Sequence, residues 1–221
     1  MTATVTDSGH PPADKPALHD ERAAQGKRDE EFTRVLNAAG LACELHLGQL
    51  AQMSADLAEV AVDARRMDLL ESYYAGGDDQ SVALRRQTSD RFFVHHDETP
   101  CSARDIVEAL AGLNPEISPV QLQRIGNDEG PLVLRAGEHF SVVADPDDEQ
   151  AEPDTVAVRA LVRALNALLA RANVAERLVP LVPDERREVY VGVTQVGAMT
   201  LMQAGCTEHS TADGLRDFAG W

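Results

Sequence analysis

His95, His96 and Asp97 lie just ahead of Cys101, and Cys101 directly precedes a helix-start signal at Ser102. A thiol at the positive end of a helix, close to an imidazolium, ionises more readily. That arrangement suits a nucleophilic Cys101 with His96 as a candidate beside it. Ordinary loop composition yields the same cluster, however, and no phosphate-binding glycine loop or arginine follows it at the spacing a cysteine phosphatase needs.

Three other groups of residues carry chemistry in principle. Cys206 and His209 would make half of a zinc site if His95, His96 or His139 folded next to them, since zinc takes four nitrogen or sulfur ligands. Only that one pair has local spacing, so no metal is expected. The carboxylates of Asp145, Asp147, Asp148, Glu149, Glu152 and Asp154 could hold calcium, but the loop lacks the turning glycine of an EF-hand and is stiffened by Pro146 and Pro153. It reads as a solvated acidic loop. Arg159, Arg163 and Arg171 share one side of a helical stretch, where they could bind a carboxylate or phosphate ligand or pair with acids of the same chain. The acids proposed for that pairing are the loop 145–154 or Asp56, Glu59 and Asp63. No Walker loop, dinucleotide-binding glycine fingerprint, nucleophile elbow or zincin helix is present. No cofactor is expected, and binding is favoured over catalysis.

The elements that position these groups follow from periodicity. From Phe32 the chain steps by four and three through Leu36, Ala39, Cys43, His46, Leu50, Met53, Leu57, Val60, Ala64, Met67, Glu71 and Tyr74, a heptad repeat broken only at His46 and Glu71. Val35, Ala42, Leu47, Ala61 and Leu70 widen the stripe, which suits a helix buried against several neighbours. As one helix, Arg28 to Ala75 would run about 72 Å at roughly 1.5 Å per residue, so a break is expected at Gly40 or Gly48. The arm therefore reads as a long helix, a helical hairpin or a self-association surface, with Leu50, Met53, Leu57, Val60 and Met67 at the interface.

Residues 1–27 hold almost no large apolar side chains and are expected to form a disordered tail. Residues 78–90 read as a linker after Gly76 and Gly77. The α+β domain follows at 91–206, with strands at 91–95, 132–135, 139–144, 177–182 and 188–193 and helices after Ser102, from Asp154 and from Gln195. Residues 117–125 fit either a strand or a helix start. This order implies an antiparallel or mixed sheet of about five strands with helices on one face. Residues 207–221 form a C-terminal tail expected outside the core, in which Leu215, Phe218 and Trp221 recur every three residues, either to tuck onto the domain or to dock in a partner groove.

Charge limits the partners. With 37 acidic and 20 basic residues the chain carries −17, which repels nucleic acid and anionic membrane surfaces. Its 3 cysteines, irregularly spaced, imply no disulfide framework and fit a reducing cytoplasm. The near absence of lysine, with only Lys15 and Lys27, resembles the codon usage of a high-GC bacterium. The sequence thus points to a cytoplasmic, bacterial, non-catalytic interaction or assembly module that binds itself, as a dimer or larger, and another protein. The alternative is a small-molecule sensor or enzyme using the His95 to Cys101 loop and the Arg159/Arg163 face.

Overall fold

The computed structural model describes residues 15–41, 66–67, 69–70, 91–96, 101–126, 130–143 and 157–221. In chain order these contain α1 (Lys15–Ala38), β1 (Phe92–His96), α2 (Ala103–Gly112), a 3-10 turn (Pro115–Ile117), β2 (Gln121–Arg124), β3 (Leu132–Ala136), β4 (His139–Val142), α3 (Val158–Arg171), β5 (Glu176–Pro180), β6 (Arg187–Thr194), α4 (Gln195–Gln203) and α5 (Ala212–Ala219). The architecture is α+β, and none of the described helices is long and apolar enough to cross a membrane.

Local signals place most of these boundaries. The Ser102 hydroxyl accepts from the Asp105 N–H at 3.2 Å and starts α2. Thr194 caps α4 in the same way through Gly197, and Thr211 caps α5 through Gly214. Each satisfies one of the orphan donors of a first helical turn. Asn173, at φ 58°, ends the run after α3 in the left-handed region that Asn tolerates better than most residues. Gly40, at φ 90°, ends the turn after α1 and is one of the two expected break points. Gly48 lies outside the described residues, as does Asp154, the expected cap of α3. Helix α1 starts at Lys15, within the stretch expected to be a tail. Residues 117–125 resolve into the 3-10 turn, a cis Ser118–Pro119 peptide and strand β2.

The expectation of one sheet of about five strands is corrected. Two separate three-stranded antiparallel sheets form, in the orders β1-β6-β5 and β2-β3-β4. Hydrophobic patterning marks which segments are strands, whereas the partner of each is chosen by contacts far apart in sequence, and β1 pairs with β6, not with its neighbour β2. Helices on one face also needs correcting for the first sheet. Phe93, Leu178 and Tyr190 point into a core shared with α2, α3 and Leu132 and Leu134 of the second sheet. Phe92, Val179, Val189, Val191 and Val193 point into a second core with Phe32, Leu36 and Ala39 of α1, Ala198 and Leu201 of α4, and Leu215 of α5. The first sheet is the wall between two cores, and the near-continuous apolar runs of β5 and β6 are those of strands covered on both sides.

The C-terminal tail is also reassigned. Leu215 and Phe218 are buried at 1% and 2% exposure, one in each core, and Trp221 packs partly buried beside the second. The tuck onto the parent domain is the arrangement adopted. Phe32, Leu36, Met67 and Leu70 of the heptad stripe fill the second core of their own chain. Cys43, His46, Leu50, Met53, Leu57 and Val60 lie outside the described residues.

Candidate functional site

A cavity of about 550 Å³ opens between α2 and β2. That volume falls within the range of roughly 300–1,000 Å³ typical of ligand pockets. Arg104, Val107, Glu108 and Ala111 line it from one face of α2, at the i, i+3, i+4, i+7 spacing that stacks side chains along a helix. Opposite lie Val120, Gln121, Leu122 and Gln123, entered through Ser118 and Pro119. Val107, Ala111, Val120 and Leu122 make an apolar floor; Arg104, Glu108, Gln121 and Gln123 make polar walls.

The backbone of β2 adds the chemistry. Strand β2 is the end of its sheet, paired only with β3. The Ile125 N–H donates to the Pro131 carbonyl at 3.1 Å, and antiparallel ladders alternate, so Gln121 and Gln123 bond to β3 while Leu122 turns its N–H and C=O away from it. Val120, one step outside the strand, has the same phase. Neither residue's backbone groups have a partner among the described residues, and both residues line the cavity. The site thus presents backbone donors and acceptors beside an apolar floor.

A second group of side chains sits over α3 and α5. Arg159 pairs with the Glu208 carboxylate, and the Tyr190 hydroxyl donates to Glu188 Oε2 at 2.8 Å. Burial, then the Glu188 carboxylate, pushes the Tyr190 phenol far above its ordinary range. The bond to Glu208 raises the Arg159 pKa against the cost of burial. His209 packs its ring 5.1 Å from Phe218, and burial lowers its pKa, with Arg159 and Arg163 adding to that and Glu208 opposing it. The guanidinium groups of Arg159 and Arg163 stand 5.9 and 5.3 Å from the same Phe218 ring. Arg159 therefore pairs with Glu208 of its own chain, whereas the loop 145–154 and Asp56, Glu59 and Asp63 lie outside the described residues.

The remaining candidates disperse. His95 stacks on Phe93 and faces Glu188 across β6; His96 is exposed at the end of β1; Cys101 is exposed; Asp97 lies outside the described residues. Cys206 is buried, its thiol 3.6 Å from the Ala204 carbonyl. Among the described residues no group of three or more His, Cys, Asp or Glu side chains could hold a metal ion. The acidic residues 145–154 lie outside the described residues. Arg171 sits 5.6 Å from the Phe140 ring. Sequence reasoning missed the cavity. The alternation of Val120, Leu122 and Arg124 was a strand signal, but nothing in it marks a sheet edge.

No protein-family model matches the chain, and neither the curated proteins nor the solved structures contain a significant match.

Proposed function

We propose that this protein is a non-catalytic protein-interaction module that takes an extended segment of a partner as an added strand along β2. The observation that carries the reading is the outward-facing backbone of Leu122, opening into a cavity with an apolar floor. An extended peptide would exchange main-chain hydrogen bonds with Val120 and Leu122. Its alternate side chains would rest on Val107 and Ala111, which is how strand addition divides affinity from specificity. This reading puts the surface on the α+β body; Phe32, Leu36, Met67 and Leu70 of the arm pack on their own core, while Leu50, Met53, Leu57 and Val60 lie outside the described residues.

The test uses peptides selected from a random 12-residue display library on the whole protein, followed by amide hydrogen exchange. In the free protein the amides of Val120 and Leu122 should exchange fast and those of Gln121 and Gln123 slowly. A bound peptide should protect Val120 and Leu122, and Glu108→Trp, which fills the groove from an exposed position, should abolish binding with the fold intact. A selection that yields no peptide protecting those two amides, or only peptides that bind Glu108→Trp equally well, would refute the proposal.

A further inference from the structure

The segment 207–221 is held to the body in two different ways. Up to Glu208 the backbone does it: Thr207 forms an antiparallel bridge with Leu181, and the Glu208 N–H donates to the Pro180 carbonyl at 3.3 Å. Beyond that point, among the described residues, the backbone hydrogen bonds of α5 and its caps all stay inside 211–221. Side-chain burial docks α5, through Leu215 in the second core, Phe218 in the first, and Ala219. His209 sits at the junction between the two regimes, its ring packed against that of Phe218.

The imidazole of His209 suits that junction only while it is neutral. Its Nε2 is buried without a hydrogen-bond partner, and the place a Cβ would take on Gly214, in the first turn of α5, lies 3.6 Å from its Nδ1. An imidazolium carries a donor on both nitrogens and accepts nothing, so protonation would leave a buried, charged N–H unsatisfied. The surrounding charges oppose it as well. From α3, Arg159 and Arg163 hold their guanidinium groups 5.9 and 5.3 Å from the same Phe218 ring. Glu208 is the acid beside His209, and Arg159 already pairs with it. From β6, the Tyr190 hydroxyl and Glu188 are bonded to each other and act on Arg159. On α5 itself Asp213 pairs with Arg216 at 3.3 Å and Asp217 is exposed, while α4 has no titratable side chain. On β5, Glu176 pairs with Arg91, and Arg177 donates to the Val174 and Glu176 carbonyls. A third cation at the Phe218 ring would thus have to share one engaged carboxylate. We infer that α5 is an acid-released latch: protonated His209 turns out toward water, its ring leaves Phe218, and α5 undocks while the sheet β1-β6-β5 stays folded.

Amide hydrogen exchange on the whole protein, read by NMR between pH 7.5 and 5, compares Phe218, Ala219 and Gly220 of α5 with Val191 and Val193 of β6. After correction for the intrinsic pH dependence of exchange, opening of α5 should increase as pH falls below about 6.5, by at most about tenfold for each pH unit, because the released histidine takes up a proton that the docked one refuses. The β6 amides should keep their protection. The emission of Trp221, the single tryptophan, should shift to the red together with the loss of α5 protection. His209→Gln should remove the pH dependence of α5. Arg163→Gln, at an exposed position, should shrink it by taking away one of the cations that oppose protonation. An α5 response that persists in His209→Gln, that is undiminished in Arg163→Gln, or that β6 shares in equal measure overturns the inference. So does α5 protection that stays level from pH 7.5 to 5.

Discussion

The two sheets have the same number of strands and the same antiparallel pairing, yet their edges are treated differently. At β5 the Leu181 N–H donates to the Val189 carbonyl at 2.9 Å, which turns Leu178 and Pro180 away from β6. Both outward positions are closed. Asn166 on α3, 1% exposed, donates through Nδ2 to the Leu178 carbonyl at 2.9 Å and accepts from the Leu178 N–H at 2.8 Å. Pro180 has no N–H to leave bare, and its carbonyl accepts from the Glu208 N–H at 3.3 Å. At β2 the equivalent outward groups of Leu122 open onto a cavity. Exposed strand edges template unwanted pairing, and the β5 edge is closed twice over while the backbone of Leu122 has no partner among the described residues.

The largest expected effect tests whether α5 belongs to the covered sheet. Phe218→Ala should cost about 3–5 kcal/mol, as for other buried aromatic truncations. Chemical denaturation reads this directly, and a loss under 1 kcal/mol would return α5 to the status of an independent tail. Asn166→Ala comes next. It orphans a buried N–H and a buried carbonyl at Leu178, at roughly 1–3 kcal/mol for each unsatisfied group, so a loss of about 3 kcal/mol is expected. If that variant melts like the wild type, the closed edge is an accident of geometry and the contrast with β2 fails.

A smaller effect depends on pH. Burial holds the His209 pKa below its unfolded value near 6.5, so in the window below that value the unfolded chain takes up a proton that the folded chain refuses. Stability should therefore be full above about pH 7 and decline as pH falls through 6.5 toward the lower folded value. His209→Gln should flatten that part of the melting profile, and an unchanged slope in the variant would exclude His209 as its source. The smallest effect belongs to the outer face of the second sheet, where Val142 is half exposed beside the buried Val133. Val142→Ser should change stability by no more than about 0.5 kcal/mol, as expected for an exposed position. A loss of 2 kcal/mol or more would show that this face is already covered in the free protein.

Much of the fold was legible along the chain because the signals involved are local. The caps at Ser102 and Thr194, the stop at Asn173, the turn between β3 and β4 and the apolar face of α3 each depend on a few neighbouring residues whose hydrogen bonds or periodicity close within one or two turns. Leu161 and Leu165 are fully buried while Arg163 is exposed, as the helical spacing required. The sequence by itself also determined the strongly acidic balance and the segments able to form strands. Tertiary structure alone decided that β1 pairs with β6, that the strands divide into two sheets, that Arg159 meets Glu208, that Phe218 enters the core, and that Asn166 closes one edge while Leu122 on the other has no backbone partner among the described residues. The reason is that an edge or a pairing is a property of what lies beside a strand in space. Leu122 and Leu178 have the same side chain and equivalent backbone phase, and only their neighbours in the folded chain separate the edge that Asn166 closes from the one that lines a cavity.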